Sequence, residues 1–254
     1  MQGALLINLD RSPDRLVRCE PLLAQLGVTW ERVTGIEGAK LPAERLASLN
    51  PFPAPHGEWY RPLTPGEIGC FLSHQACWQR IIDLGWSCGL VLEDDFAMAD
   101  GFSPERLAAL MATSDQWDVV KLTRLGTNAP LHLTLPQGLR LRGRGAGPID
   151  GTAYLVSARG ARKMVAQREH IWRPVDFDMK HHWERDLTLH WCDPDLFRQV
   201  SHEEAPSVIG DRSGHRRLPL AQKAQVYLRK YRYHIDFFLA DQLHIGRRSV
   251  LGPR

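Results

Sequence analysis

The sequence predicts an α/β protein with a mostly parallel central sheet flanked by helices. Three observations lead there. The chain opens as strand, helix, strand: an apolar run from Ala4 to Leu9, a helical face of Leu16, Leu22, Leu23 and Leu26, and an alternating stretch from Val28 to Val33. Short apolar runs and helically periodic stretches then alternate along the chain. Finally, Leu90-Val91-Leu92 runs straight into three adjacent carboxylates, Glu93, Asp94 and Asp95, at the end of a strand. Ligands of open α/β sheets bind beyond the carboxyl ends of strands.

Each element has a local cause. Ser12 stands as N-cap and Pro13 at the first helical position of the opening helix, which Gly27 ends. Residues 50 to 65 carry five prolines and read as a long irregular connection of the kind that forms lids or binding loops. Thr64, Pro65 and Glu67 then make a capping-box start. Ile68, Phe71, Leu72, Cys77, Trp78, Ile81 and Ile82 give that helix its apolar face, and Gly85 ends it. Gly66 and Gly69 suggest close approach of another backbone. A strand is expected at 87–92, a helix at 104–111, a strand at 117–122, hairpin pieces at 131–135 and 139–141, a strand at 151–156, and a helix from Ser157. Residues 174 to 200 show mixed patterns and yield no clear element. Residues 219 to 245 are helical in pattern and basic, with Lys223, Arg229, Lys230 and Arg232. The expected division is a domain at 1–215 and a basic helical extension at 216–254.

Composition narrows the function classes. The net charge of +3, from 32 basic and 29 acidic residues, gives no electrostatic reason to expect nucleic acid as a partner. The five cysteines are odd in number and lack CxxC spacing, and no HxxxH pattern occurs, so neither a disulfide framework nor a zinc site is expected. Buried thiols in a reducing compartment are the reading. Ala4 to Ile7 stops too soon for a secretory core, and no window approaches the roughly 18 apolar residues of a membrane span. The expected address is the cytoplasm or its membrane face.

Three carboxylates in a row are costly unless a cation neutralises them. Hard divalent ions take oxygen ligands and bridge carboxylates to phosphates, so the triplet suits a nucleotide diphosphate held through Mn²⁺ or Mg²⁺. Strand alternation puts Glu93 and Asp95 on one side and Asp94 on the other. A solvated acidic turn is the plainer alternative.

Several separated motifs fall into one pattern. INLDRSPDR at 7–15, LTPGEIGCFLSHQACWQRI at 63–81, LVLEDDF at 90–96, WDVVKL at 117–122 and GTAYLVSARGARKM at 151–164 resemble glycosyltransferase family 25, the lipopolysaccharide and lipooligosaccharide glycosyltransferases related to collagen galactosyltransferases. The resemblance implies a GT-A fold, a UDP-sugar donor, and inverting transfer, commonly of galactose. It implies that the acidic triplet is the metal motif, with Glu93 where the pattern usually has aspartate. Asp95 is the favoured metal ligand, with Glu93 at the metal or ribose, Asp94 beside the nucleotide, and His202 as a late histidine ligand.

Other residues join the site on the same reading. Asn8, Asp10, Arg11 and Arg15 follow the first strand, where the family binds nucleotide. Arginine meets phosphate bidentately. Lys121 interrupts an apolar strand and can balance phosphate charge; an edge lysine is the alternative. Glu67 and His74 lie on the capped helix, facing substrate or serving its cap and hydrogen bonding. Thr152 and Tyr154 suit a sugar lying against backbone and ring, or a buried strand. An inverting transferase needs a base to take the acceptor's proton. Asp176 is the first choice, then Asp178, then Asp150; 176 and 178 share a side only if that stretch is extended. The expected acceptor is a lipopolysaccharide-type glycan, with the basic C-terminus on an anionic membrane or packed on the domain. Another UDP-sugar, or a nucleotide- or carbohydrate-binding protein without catalysis, is the alternative.

Overall fold

The computed structural model describes residues 1–54, 59–123, 130–143, 150–166, 169–200 and 220–251. Strands β1 (Gln2–Asn8), β2 (Trp30–Thr34), β3 (Cys88–Glu93), β5 (Val119–Lys121), β6 (Leu131–Thr134), β7 (Arg140–Gly143), β8 (Ala153–Ser157) and β9 (Leu189–Asp193) form one eight-stranded sheet, ordered β2-β1-β3-β8-β5-β9-β7-β6. Short strands β4 (Phe96–Met98) and β10 (Phe197–Gln199) pair separately. In the large sheet β2, β1, β3, β5, β9 and β6 point one way, and β8 and β7 run against them. The α/β class and the predominant strand direction follow the expectation. The reversal of β8 between β3 and β5 does not, because its sequence carries no mark of direction.

The helices are α1 (Pro13–Leu23), α2 (Ala43–Leu49), α3 (Pro65–Asp83), α4 (Pro104–Met111), α5 (Ala158–Val165), α6 (Val175–Lys180) and α7 (Leu220–Leu251). Strand alternation divides the core into two layers. Leu6, Leu90, Leu92 and Leu155 pack with Leu23, Leu107 and Trp117 on one face. Their neighbours Leu5, Val91, Tyr154 and Val156 pack with Phe71, Trp78, Ile81 and Met164 on the other. None of the five cysteines is in a disulfide.

Helix α3 anchors the second layer. Its capping box is complete: Glu67 N–H donates to Thr64 Oγ1 at 3.2 Å, and Thr64 N–H to Glu67 Oε2 at 2.9 Å. A side chain at Gly69 has no room, since a Cβ there would lie 2.3 Å from the Ile36 carbonyl oxygen. That close approach seats the 35–40 loop against the helix. Ser12 holds the cap position of α1 but makes no side-chain cap bond.

The strand order sets the site. From β1 the chain moves one way to β2 and returns past β1 to β3, so the order reverses between β1 and β3. A crevice at such a reversal is where open sheets hold ligands. Asn8, Glu93 and Lys121 end three same-direction strands there, and Thr152 immediately precedes the opposed β8.

Candidate active site

Alternation at the end of β3 sends the three carboxylates to different partners. Asp94 turns toward α1, buried. Its Oδ2 accepts from Asn8 Nδ2 at 2.8 Å, Oδ1 pairs with Arg15, and its carbonyl accepts from Arg18 at 2.6 Å. Asn8 Oδ1 in turn accepts from Arg32 Nε at 3.0 Å. Asn8, Arg15 and Asp94 therefore form a clamp that fixes the strand end. Asp10 pairs with Arg32, and Arg11 reaches Glu37 at 3.4 Å; Asp10 and Arg11 are exposed on the same rim.

Glu93 turns to the opposite layer. Its Oε1 lies 3.0 Å from His74 Nε2, and His74 Nδ1 lies 2.8 Å from the Tyr154 hydroxyl. Trp78 Nε1–H donates to that hydroxyl at 2.8 Å. One assignment satisfies every group: Tyr154 O–H donates to Nδ1, and Nε2–H donates to Glu93. Burial, reinforced by Lys121, pushes His74 down to about 3, so the ring is neutral. Burial, with Asp150 and Asp176 adding to it, pushes Glu93 up to about 8. Gly151 leaves room for this pair, since a Cβ there would stand 2.7 Å from Glu93 Oε1.

Asp95 completes the triplet. Gln199 Nε2 donates to its Oδ2 at 2.8 Å, while Oδ1 is buried without a hydrogen-bond partner among the described residues. Burial, then Glu93, pushes its carboxyl up to about 6. A buried oxygen left bare costs free energy unless something absent from the chain meets it. The Thr152 hydroxyl is in the same condition.

Lys121 is buried at the end of β5. Its Nζ donates to the Asp150 carbonyl at 2.6 Å and sits 4.8 Å from the Tyr154 ring centre. Burial pulls it down to about 8 against the opposing pull of Asp150, Asp176 and Glu93. Asp150 is fixed by Thr123 and by Thr152 N–H, the latter at 2.7 Å. One lysine thus stands among Glu93, Asp150 and Asp176.

Asp176 and Asp178 do not share a side. They lie on helix α6, where a spacing of two is about 200° of rotation. Asp176 faces the Glu93–Lys121 cluster electrostatically, whereas Asp178 is buried beside Arg185 at 3.5 Å and Arg173. Glu67 takes two hydrogen bonds from Arg61, at 2.8 and 2.7 Å, besides its cap bond. His202 lies outside the described residues.

The structure therefore brings Glu93, Asp95, Asp150, Asp176, Lys121, His74, Thr152 and Tyr154 together, and engages Asp94, Asn8, Arg15, Asp178 and Glu67 in holding the frame. Sequence reasoning missed Gln199, Thr123 and Cys70. Cys70 had a signal: it precedes His74 by four residues on an evident helix.

Comparison with known proteins agrees with this frame. The family model described as glycosyltransferase family 25 (LPS biosynthesis protein) matches residues 1–128. Procollagen galactosyltransferase 2 of Homo sapiens is 36% identical over 231 residues, covering 81% of this chain and 36% of its own length. Procollagen galactosyltransferase 1 of Danio rerio is 29% identical over 234 residues, 81% of this chain and 37% of its own. The inactive glycosyltransferase 25 family member 3 of Homo sapiens is 30% identical over 209 residues, 74% of this chain and 35% of its own. The chain thus spans about a third of the length of these relatives, which include galactosyltransferases and an inactive member. With the matched segment carrying β1, α3 and the β3 carboxylates, the chain belongs to glycosyltransferase family 25.

Proposed function

We propose that this chain is a metal-dependent inverting glycosyltransferase that moves a hexose, galactose from UDP-galactose first, onto a hydroxyl of a lipopolysaccharide-type glycan. The observation that carries the reading is Asp95 Oδ1, a buried carboxylate oxygen with no partner among the described residues, coupled to Glu93 where the strand order reverses. Two hard oxygen donors fit Mn²⁺ or Mg²⁺. Asp95 and Glu93 would hold the ion, with His202 expected to join them. Bound there, it supplies positive charge against the departing diphosphate.

The chain's own residues supply the rest. Asp176 takes the proton of the acceptor hydroxyl as its oxygen attacks the anomeric carbon. The bond to the diphosphate breaks on the opposite face, which inverts the configuration. Lys121 holds a positive charge beside Asp150 and Asp176 and keeps the acidic cluster from repelling an anionic donor. The bare Thr152 hydroxyl and the small Gly151 offer the sugar a polar atom and space. The galactosyltransferases among the relatives support galactose. The family description favours a glycolipid acceptor, while the relatives' names point to procollagen; an acceptor panel with both classes decides. We place the reaction at the cytoplasmic face of an anionic membrane, with α7 as the contact.

The test is donor turnover with and without Mn²⁺ on the wild type and Asp95→Ala. Cation-dependent release of UDP, lost in the variant, is the expected result. UDP binding with no turnover of any UDP-sugar over a broad acceptor panel would instead favour a nucleotide-binding protein without catalysis, as the inactive human relative suggests.

A further inference from the structure

Beside the proposed cation position lies a second donor set of different chemistry. Cys70 and His74 are one helical turn apart on α3, and Glu93 reaches them from β3; one ligand atom from each lies within 4.8 Å of the others. A thiol, an imidazole and a carboxylate are not the oxygen set that suits Mg²⁺. They are the mixed sulfur, nitrogen and oxygen set that favours Zn²⁺ and its relatives. We propose that Cys70, His74 and Glu93 form a site for a thiophilic divalent cation, and that through Glu93 this site competes with the cation that serves the donor nucleotide. The first clause stands on geometry alone; the second rests on the function proposed above.

The spacing is close to what binding needs. Two ligands about 2 Å from a tetrahedral ion lie about 3.3 Å from each other. His74 Nε2 and Glu93 Oε1 are already 3.0 Å apart. The surroundings also accept the required change of tautomer. A metal on Nε2 moves the ring proton to Nδ1, and Nδ1–H then donates to the Tyr154 oxygen, which also accepts from Trp78. The phenol has two lone pairs and a rotatable O–H, so it serves the ring as acceptor in one state and donor in the other. Such an outer partner is what orients a metal-bound histidine. Cys70 is half-buried and Glu93 retains 22% side-chain exposure, which leaves the ion a route in, while His74 is wholly buried. The thiol proton leaves to solvent as the ion binds, while the ring keeps its single proton, now on Nδ1. The site went unnoticed in the sequence because its third ligand comes from another element.

Co²⁺ titration of the purified chain, without nucleotide or acceptor, reads the site directly. The expected result is a thiolate-to-Co²⁺ charge-transfer band in the near ultraviolet, saturating at one ion per chain and bleached by Zn²⁺. Cys70→Ser should remove the band and keep the fold, with Cys70→Ala as a second variant; Glu93→Gln should weaken Co²⁺ binding at least tenfold. No band in the wild type, or a band unchanged in Cys70→Ser, overturns the site. In a second arm, Mn²⁺ is followed by electron paramagnetic resonance with UDP present. Zn²⁺ should release Mn²⁺ from the wild type but not from Cys70→Ser, whose Mn²⁺ affinity should be unchanged. Zn²⁺ and Mn²⁺ binding together without interference would overturn the sharing of Glu93. Mn²⁺ failing to bind at all would sink the donor-site reading and leave the Co²⁺ band to decide the new one.

Discussion

Glu93 and Asp95 sit side by side, yet their burdens differ. Glu93 has its carboxyl raised from 4.5 to about 8, chiefly by burial. A group whose folded value lies above its unfolded one contributes stability that is complete below the unfolded value and lost as pH rises through the folded one. In the absence of a divalent ion, the wild type should therefore lose stability relative to Glu93→Gln between about pH 5 and 8. Thermal melts across that range check it: the variant's Tm advantage should be near zero at pH 4.5 and widen toward pH 8. Added Mn²⁺ should shrink the advantage, because the ionised carboxylate then has a ligand to hold. Asp95→Asn has a different signature. Its Oδ1 has no hydrogen bond among the described residues to lose, so Tm should hold or rise while Mn²⁺-dependent turnover falls by about 100-fold or more. Asp94→Ala should do the reverse of a site variant. It removes a carboxylate acceptor that Arg15 and Asn8 share at the buried end of β3 and should cost about 3 kcal/mol or more of unfolding free energy in denaturant melts.

At the scale of elements, much was legible because the local signals were complete. Thr64-Pro65-Gly66-Glu67 named the start of α3, and the helix expected at 104–111 is α4, capped in the structure by Ser103, whose side chain accepts from Arg106 N–H. Two helices escaped. The mixed stretch holding α6 is short and aromatic-rich, with two aspartates whose shared face depended on whether it was strand or helix. Its helical state, settled by packing of Val175 and Met179 into the core, separates Asp176 from Asp178. Helix α2 is brief and lies in the polar run before the proline-rich connection. The candidate site was legible only in part: the sequence marked the carboxylates, but which one turns inward depends on the pleat of β3 and on Asn8, Arg15 and His74 arriving from elsewhere. Gly69 was readable as a close approach, and it yields a prediction at this scale. Gly69→Ala places a methyl 2.3 Å from the Ile36 oxygen and should destabilise by about 1–3 kcal/mol, with amide exchange quickened in both the 35–40 loop and the first turns of α3.

At the scale of the molecule, α7 is two-sided. Tyr233 packs into an aromatic cluster with Trp59, Tyr60 and His181, and Phe237 lies against His181 and Trp183. So part of the helix's aromatic content covers the domain. Leu228, Tyr231, Ile235 and Phe238 recur at intervals of three and four on the side away from it, and all are exposed. Arg232 flanks this stripe, while Arg229 and Lys230 lie over the Phe52 and Tyr60 rings of the domain, at 5.4 and 5.8 Å. No helix of the described residues is long and apolar enough to cross a membrane. We propose that this stripe seats α7 in the plane of an anionic interface, where each Lys or Arg near the surface adds about 1 kcal/mol. The same geometry could seat a second copy, but two such helices would bring their arginines together, with exposed Asp236 to offset them. Co-sedimentation with phosphatidylglycerol vesicles, against phosphatidylcholine controls, distinguishes the two. Binding should be confined to the anionic vesicles, weaken as salt is raised, and fall at least tenfold in a Leu228→Ser, Tyr231→Ser, Phe238→Ser variant whose Tm is unchanged. Salt-independent binding, or a concentration-dependent dimer that the same substitutions dissolve, would assign the stripe to a protein partner instead.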